Sequence, residues 1–422
     1  MIFFYRLATF LLYPLLILLI YLRKFLGKED KLRFKEKFLI KKNSFSSPAK
    51  NKKVIWFHAA SIGEVNSIIP FINHILKEKN DIFVLLTSTS LSSSKLIKKK
   101  IDLDYFGHQF FLLDISFLVK KFLDYWKPHL AIFVDSEVWP SHIIEIKKRK
   151  IPLILLNGRI TNKTFKRWKM LPNTSRNIFE LYDLCLASSS ESQNNLKNLG
   201  AKNVKYFGNI KFCAEVKSEK DTQRKIPAIK DKKIWSAAST HPGEEIFFLN
   251  THLELKKNEN NILTIIIPRH INRSKEIFEI GKRLKLKIEI LDNINEIKNE
   301  TEVIIINSIG NMIDIFNYSK SVFMGKSLLN ELKEVGGQNP IEPAKCGCKI
   351  YHGQFVANFK EIYNFLNDKK IAFEINNETK LSDCLLRDFV QEKIFDKQNI
   401  IELNTYGKKI LSKSLDEILA LK

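Results

Sequence analysis

Val54-Ile-Trp-Phe-His-Ala-Ala-Ser-Ile-Gly-Glu-Val-Asn66 is the stretch whose reading decides the fold. The apolar run Val54–Phe57 ends in the small residues Ala59, Ala60, Ser61 and Gly63. A second apolar pattern, at helical spacing, then runs through Val65, Ile68, Ile69, Ile72 and Leu76. The change of period predicts a strand, a tight turn and a helix. Glu64 falls at the mouth of that turn, at the carboxyl end of a strand, where open α/β sheets place their chemistry. Ser61 can cap the helix, with Glu64 three residues on completing a capping box. Two functional readings compete with that local role. Ser61 can be a nucleophile on a strand–turn–helix elbow, with Ala59 in place of the usual glycine. Alternatively Glu64 is a general base, kept anionic by the helix N-terminus.

Outward from this stretch, strands and helices alternate. Apolar strand candidates at 54–57, 82–87, 130–134, 152–156, 183–187 and 204–207 are separated by helix-period segments such as 64–79, 139–149 and 189–199. Residues 213–232 are charged, lack apolar period and contain Pro227, so they are expected to link two domains. The pattern restarts at Ile234 and continues through 262–267, 286–290, 303–306, 321–324 and 349–351. Alternation of this kind implies parallel sheets with helices on both faces. The expected organisation is an anchor at 1–24, an α/β domain at 25–212, the linker at 213–232, a second α/β domain at 233–385, and closing helices at 386–422.

Bulk properties fit that plan. The 422 residues suffice for two cores, and 45% hydrophobic with 27% charged residues is globular rather than disordered. A net charge of +23 asks for an anionic partner. The basic residues form no nucleic-acid-binding module, so a membrane surface or phosphorylated substrate is expected, not nucleic acid. Residues 2–22 form an almost unbroken apolar stretch of spanning length, interrupted by Arg6 and Pro14. A basic run from Arg23 to Lys42 follows, which the positive-inside rule keeps cytoplasmic. A membrane-anchored protein with its domains on the cytoplasmic face is expected, held against anionic lipid. Five cysteines without paired spacing argue against a disulfide framework. Cys346 and Cys348 alone do not make a zinc site, and Asp102-Leu-Asp104 is too common a triplet to assign to a metal, so no metal or cofactor is expected.

Further candidates lie at other strand ends. Asp135-Ser-Glu-Val-Trp-Pro140 follows one strand and puts two carboxylates, including Glu137, on a substrate rim or at a helix start. Asn157-Gly-Arg159 ends the next strand and brings a guanidinium suited to phosphate or carboxylate. Gly208-Asn-Ile-Lys211 places Lys211 at the domain boundary. Ser239-Thr-His-Pro-Gly-Glu244 repeats the strand-end and helix-start pattern, with Thr240 or His241 as cap and Gly243 leaving backbone N–H groups open to an anion. Pro268-Arg-His270 ends another strand. Gly336-Gly-Gln-Asn-Pro-Ile-Glu-Pro343 reads as a glycine pair before a helix capped by Asn339, with Glu342 completing the cap or meeting ribose hydroxyls.

In this order, Ser61-Ile-Gly-Glu64, Ser136-Glu-Val-Trp-Pro140, Asn157-Gly-Arg159, Gly208-Asn-Ile-Lys211, Ala238-Ser-Thr-His-Pro-Gly-Glu-Glu245, Pro268-Arg-His270, Gly336–Pro343 and Asn358-Phe359 closely resemble the bacterial 3-deoxy-D-manno-octulosonic acid (Kdo) transferases of lipopolysaccharide synthesis. The resemblance implies a GT-B fold, two Rossmann-like domains facing a central cleft, and metal-independent inverting transfer of Kdo from CMP-Kdo to a lipid A precursor at the inner membrane. It makes Glu64 the general base, with Ser61, Gly63, Glu137 and Arg159 beside the acceptor. Lys211, Ser239, Thr240, Arg269, Gly336, Gly337, Asn339 and Glu342 match the donor side. The sequence departs from the family pattern at Lys326 (Gly325-Lys-Ser-Leu328), Gln338, Asn311 and Thr87-Ser-Thr-Ser90. A membrane-anchored serine hydrolase using Ser61, with His352 as the best triad partner, and a UDP-sugar enzyme of the same fold are the alternatives.

Overall fold

The computed structural model describes residues 1–38, 52–101, 104–216, 226–308, 312–391 and 397–421. The expected sites at Asn311 and Asp102, part of the basic run and part of the linker lie outside these residues. Two compact units are present. One comprises Met1–Ala214 with Tyr406–Lys422, the other Glu215–Thr405.

The first unit opens with helices α1 (Ile2–Leu11) and α2 (Tyr13–Phe25). An alternating series follows: β1 (Lys53–His58), α3 (Ile62–Glu78), β2 (Ile82–Ser88), α4 (Leu91–Lys100), β3 (Phe106–Phe110), α5 (Ser116–Trp126), β4 (Leu130–Val134) and α6 (Pro140–Lys148). It continues with β5 (Leu153–Gly158), α7 (Asn162–Lys169), α8 (Pro172–Phe179), β6 (Leu184–Ala187), α9 (Ser190–Leu199) and β7 (Val204–Lys205). All seven strands are parallel, in the order β3-β2-β1-β4-β5-β6-β7. Strands β1, β2, β4 and β5 are buried almost throughout, as continuous apolar runs covered on both faces must be. The chain winds outward from β1 in one direction through β2 and β3, then returns to add β4 on the other side. The reversal between β1 and β4 is the topological switch point, where such sheets open a crevice at their carboxyl ends.

The second unit repeats the plan with β8 (Lys233–Thr240), α10 (Glu245–Lys256), β9 (Ile262–Pro268), α11 (Ser274–Arg283), β10 (Ile288–Leu291), β11 (Val303–Ile306), α12 (Met312–Tyr318) and β12 (Ser321–Met324). It is completed by α13 (Ile341–Lys345), β13 (Lys349–His352), α14 (Lys360–Asp368), β14 (Ala372–Glu374) and α15 (Glu378–Val390). Its parallel sheet has the order β10-β11-β9-β8-β12-β13-β14, with the switch between β8 and β12. Both halves are therefore the doubly wound α/β units that the alternation implied.

Helix α16 (Lys397–Ala420) begins in the second unit and ends in the first. Its last part packs on residues 205–213: Phe212 meets Tyr406 edge to face at 5.1 Å, Lys205 Nζ donates to Glu417 at 2.6 Å, and Cys213 Sγ approaches Gly407 O at 3.3 Å. Residues 406–422 thus belong to the first core, whereas the sequence grouped them with 386–405 as closing helices. The partners lie nearly two hundred residues apart, beyond any local pattern.

No single helix among the described residues is long and apolar enough to cross a membrane. Residues 2–22, expected as an apolar anchor of spanning length, lie in α1 and α2, which are bent by 57° at their break. Pro14 is the physical reason, since it lacks the N–H that would continue the ladder and its ring crowds the preceding turn. One side of the pair is tied to the first unit: Tyr5 Oη donates to Asp114, Arg6 to Glu145 and Tyr13 Oη to Phe38 O. The other side leaves Phe3, Phe4, Phe10, Leu11, Leu15 and Leu18 exposed.

Candidate active site

In the first unit, three neighbouring strands deliver side chains to the switch point. After β1, Ser61 caps α3 in the expected manner, its Oγ accepting from Glu64 N at 3.3 Å. The Ser61 hydroxyl in turn donates to Glu64 Oε1 at 2.8 Å, and Ala60 N donates to Oε2 at 2.7 Å. Gly63 is the second residue of α3, and an added Cβ there would meet only Ser61 Oγ at 4.0 Å. Glu64 therefore keeps its capping role while standing half-buried at the strand end.

After β4, Asp135 turns the chain with φ of 58°. Its Oδ1 accepts from Asn157 Nδ2, and its Oδ2 from Lys211 Nζ at 3.3 Å. Glu137 Oε2 accepts from Trp139 Nε1 at 2.7 Å and from His58 Nε2 at 3.1 Å. After β5, Asn157 also has a left-handed backbone, φ 58°, coinciding with a register shift in the β5–β6 pairing. Arg159 N donates to Asp135 O at 3.1 Å and Arg159 O accepts from Ser136 Oγ at 2.9 Å, so the two strand-end turns brace one another.

Lys211, expected on the donor side, belongs to the first unit and is fixed by a chain of local causes. Ile210 N donates to Asn157 Oδ1, and Asn209 Oδ1 accepts from Lys211 N. Gly208 has φ of 120°, and a Cβ there would lie 2.6 Å from Ile410 in α16, so a side chain is excluded on both counts.

The electrostatics reverse the simple helix-end expectation for Glu64. Burial, then the negative charges of Asp135 and Glu137, raise its pKa from the ordinary carboxylate range to about 7, outweighing the hydrogen bonds from Ser61 and Ala60. His58, wholly buried, is pushed downward by burial, against the opposing pull of Glu137, and its Nδ1 lies 3.2 Å from Thr87 O and 3.1 Å from Thr87 Oγ1. Sequence reading placed Asp135 beside Glu137 on the rim without giving it a role of its own, and it did not name His58. The paired carboxylates of 135–137 were a usable signal for Asp135. A lone histidine closing an apolar strand gave none for His58.

In the second unit, Ser239, the last residue but one of β8, has φ of 59° and lies at a register shift, and Thr240 Oγ1 donates to Glu245 Oε1 at 2.9 Å. Arg269, at the end of β9, is exposed and ties back through its N–H to Thr240 O at 3.0 Å. Near Gly243, where N–H groups open to an anion were expected, the buried Glu244 side chain takes one N–H of its own turn and three from residues 326–328. His241 N and Lys326 N donate to its Oε2 at 2.9 and 2.7 Å, Ser327 N and Leu328 N to its Oε1 at 2.8 and 3.1 Å. Gly336 N and Gly337 N are likewise engaged, with Leu332 O and Lys326 O, both at 2.6 Å. A Cβ on Gly336 would stand 2.2 Å from Phe355 O, so close backbone packing accounts for this glycine. Asn339 Oδ1 accepts from Ile341 N at 3.2 Å, and α13 starts one residue later than the expected Pro340; Glu342 is partly exposed in its first turn. Lys326 occupies a left-handed position, φ 61°, a backbone conformation that favours glycine. Gln338 O accepts from Tyr363 Oη at 3.0 Å.

His352 does not resemble a triad base: it is buried, with Nδ1 against Gly353 O at 2.7 Å and Nε2 against Asn367 Oδ1 at 3.2 Å. Among the described residues no group of three or more His, Cys, Asp or Glu side chains is arranged to hold a metal ion.

Among solved structures, the chain is similar to UDP-GlcNAc 2-epimerase from Neisseria meningitidis, with a TM-score of 0.59 at 15% identity over 88% of this chain and 100% of the other. It is also similar to a glycosyltransferase from Rickettsia africae, with a TM-score of 0.56 at 12% identity over 88% and 99%. With two doubly wound units, each a parallel sheet of seven strands, the fold is that of the GT-B glycosyltransferases. The family described as 3-deoxy-D-manno-octulosonic-acid transferase matches residues 32–214. The 3-deoxy-D-manno-octulosonic acid transferase of Rickettsia bellii is 30% identical over 99% of this chain and 98% of its own length, and that of Haemophilus influenzae 27% identical over 97% and 94%. The chain belongs to the Kdo transferase family and is a glycosyltransferase.

Proposed function

We propose that this transferase moves Kdo from CMP-Kdo to a hydroxyl of a lipid A precursor, lipid IVA, with Glu64 as general base. The observation that carries the reading is the place of Glu64 at the first switch point, where burial, then the charges of Asp135 and Glu137, raise its pKa to about 7. A base titrating near the operating pH combines a useful deprotonated fraction with real proton affinity. As the acceptor oxygen bonds to the anomeric carbon of Kdo, its proton passes to Glu64 and the bond to the CMP phosphate breaks on the opposite face, inverting the centre. A sugar alcohol is far less acidic than a carboxyl group, so the base acts while the new bond forms. Ser61, Gly63, Glu137 and Arg159 surround the acceptor in this reading. Ser239, Thr240, Arg269, Gly336, Gly337, Asn339 and Glu342 serve the donor, and Lys211 and Arg269 meet the charge of departing CMP; no metal or cofactor takes part.

The exposed apolar side of α1 and α2, followed by Arg23, Lys24, Lys28 and Lys31, rests on the anionic cytoplasmic face of the inner membrane, where a lipid acceptor is presented. Glu64→Gln is expected to lower transfer by about 10²–10⁴-fold while CMP-Kdo binding stays near normal. Mass spectrometry of the product from purified acceptor and CMP-Kdo reads the first quantity. Calorimetric titration reads the second, and comparing CMP with UDP tests the donor class. Near-normal turnover of the variant would overturn the assignment.

A further inference from the structure

The buried polar network behind Glu137 leads to the N-terminal helix. Tyr5 Oη, on α1, donates to Asp114 Oδ2 at 2.7 Å. The same carboxylate caps α6 from outside, accepting from Ser141 N at 3.0 Å, His142 N at 2.9 Å and His142 Nδ1 at 2.6 Å. Arg6 holds that helix a second time through Glu145, at 2.8 Å. Helix α6 begins directly after the turn that carries Asp135 and Glu137.

A second connection runs through rings. His142 lies on one face of Phe111, centroids 4.4 Å apart and 23° from parallel, and His58 lies against Phe111 at 3.6 Å and 14°. His58 Nε2 then donates to Glu137. His58 and His142 have no exposed surface, and Asp114 is buried. Burial opposes ionisation of Asp114, but the bonds from His142, Ser141 and Tyr5 hold its pKa below the usual value, so it is a fixed acceptor for all of them.

We infer that Tyr5 and Asp114 are positioning residues for Glu137, so that the seating of α1 on the first unit sets the geometry of the acidic cluster. The inference rests on the reading of Glu64 as base. The groups that face Glu64 are Asp135 and Glu137 from the end of β4, with Lys211 behind Asp135 and His58 behind Glu137. Loosening Glu137 removes part of the negative field and lets the carboxyl group of Glu64 titrate lower. Close-packed rings and short bonds transmit a shift because they cannot deform smoothly.

The test is Tyr5→Phe in the full-length protein, which deletes one hydroxyl and keeps the ring. Expected are a roughly five- to tenfold fall in kcat with little change in KM for CMP-Kdo, as displacement of a reacting group produces. The acidic limb of the pH profile should move down by about half a unit. Hydrogen exchange of the peptide spanning 135–143 should quicken, while binding to anionic vesicles stays unchanged. Unchanged kcat, limb and exchange, in a variant that melts normally, would overturn the inference. Faster exchange at 135–143 with no limb near pH 7 in the wild type would support the mechanical link and overturn the assignment of Glu64 instead. Asp114→Asn, expected to act in the same direction and more strongly, supplies an independent reading of the exchange, and a normal rate there would count against the link.

Discussion

The two units each place a glutamate at the start of the helix after the first strand, in the first turn of a Ser61-capped α3 and at the N-cap of α10, and give it opposite surroundings. Each carries a glutamate just after its first strand: Glu64 after β1, Glu244 after β8. In the first unit the side chain shares its surroundings with Asp135 and Glu137 and keeps two donors, Ala60 N and the Ser61 hydroxyl. In the second it is buried and takes four backbone N–H groups, three of them from the 326–328 turn after β12. One carboxylate has its pKa raised to about 7 by burial and its acidic neighbours, and the other is tied to four backbone N–H groups and holds a loop. Local sequence sets the turn; the partners that long-range folding delivers set its chemistry.

The largest effect that tests this contrast is structural. Glu244→Ala leaves four N–H groups without their acceptor, at a cost of about 3–5 kcal/mol, the scale of breaking a buried, multiply bonded charged group. Urea denaturation should show it, and a loss under about 1 kcal/mol would mean that the 326–328 turn does not depend on this side chain. The same experiment bears on the donor side, because Gly337 N bonds to Lys326 O and so ties the glycine pair to that turn.

The next effect concerns charge. Asp135 is the nearer in influence of the two carboxylates that raise Glu64. Asp135→Asn removes its charge and keeps an amide that tolerates a backbone φ of 58°. The acidic limb of kcat/KM should then move down by about one pH unit. A limb that stays in place would mean that another group governs it.

How much of this was legible depends on the range of the interactions. The strand, turn and helix at 54–78 could be read from period alone, and Ser61 caps α3 because capping is local. Strand β3 escaped notice because Gly107, His108 and Gln109 interrupt its apolar run; its edges are secured instead by Arg33 to His108 O and by Glu36 accepting from Phe110 N. Strand β14, three residues at an edge, carried too little pattern to register. The helix N-terminus suggested an anionic Glu64, but burial, with residues 135 and 137 beside it, reverses the balance, and nothing near position 64 announces either. The sandwich of His58, Phe111 and His142 joins three separated segments and was equally invisible.

The smallest effect follows from linkage. Glu64 has a folded-state pKa of about 7 against an ordinary value of 4.5, so the folded protein binds the proton more tightly than the unfolded chain does. Its contribution to stability is fully present below about pH 4.5 and is lost as pH rises through 7. Glutamine at this position keeps an acceptor for Ala60 N and carries no charge that Asp135 and Glu137 repel. Glu64→Gln should therefore match the wild type near pH 4.5 and exceed it by about 1–2 kcal/mol at pH 8. That is less than the full displacement implies, because the side chain is partly open to solvent. Thermal melts of both proteins across that range measure the difference. A gap of constant size at every pH would place its origin in packing rather than in the titration of Glu64, and would remove the electrostatic distinction between the two glutamate turns.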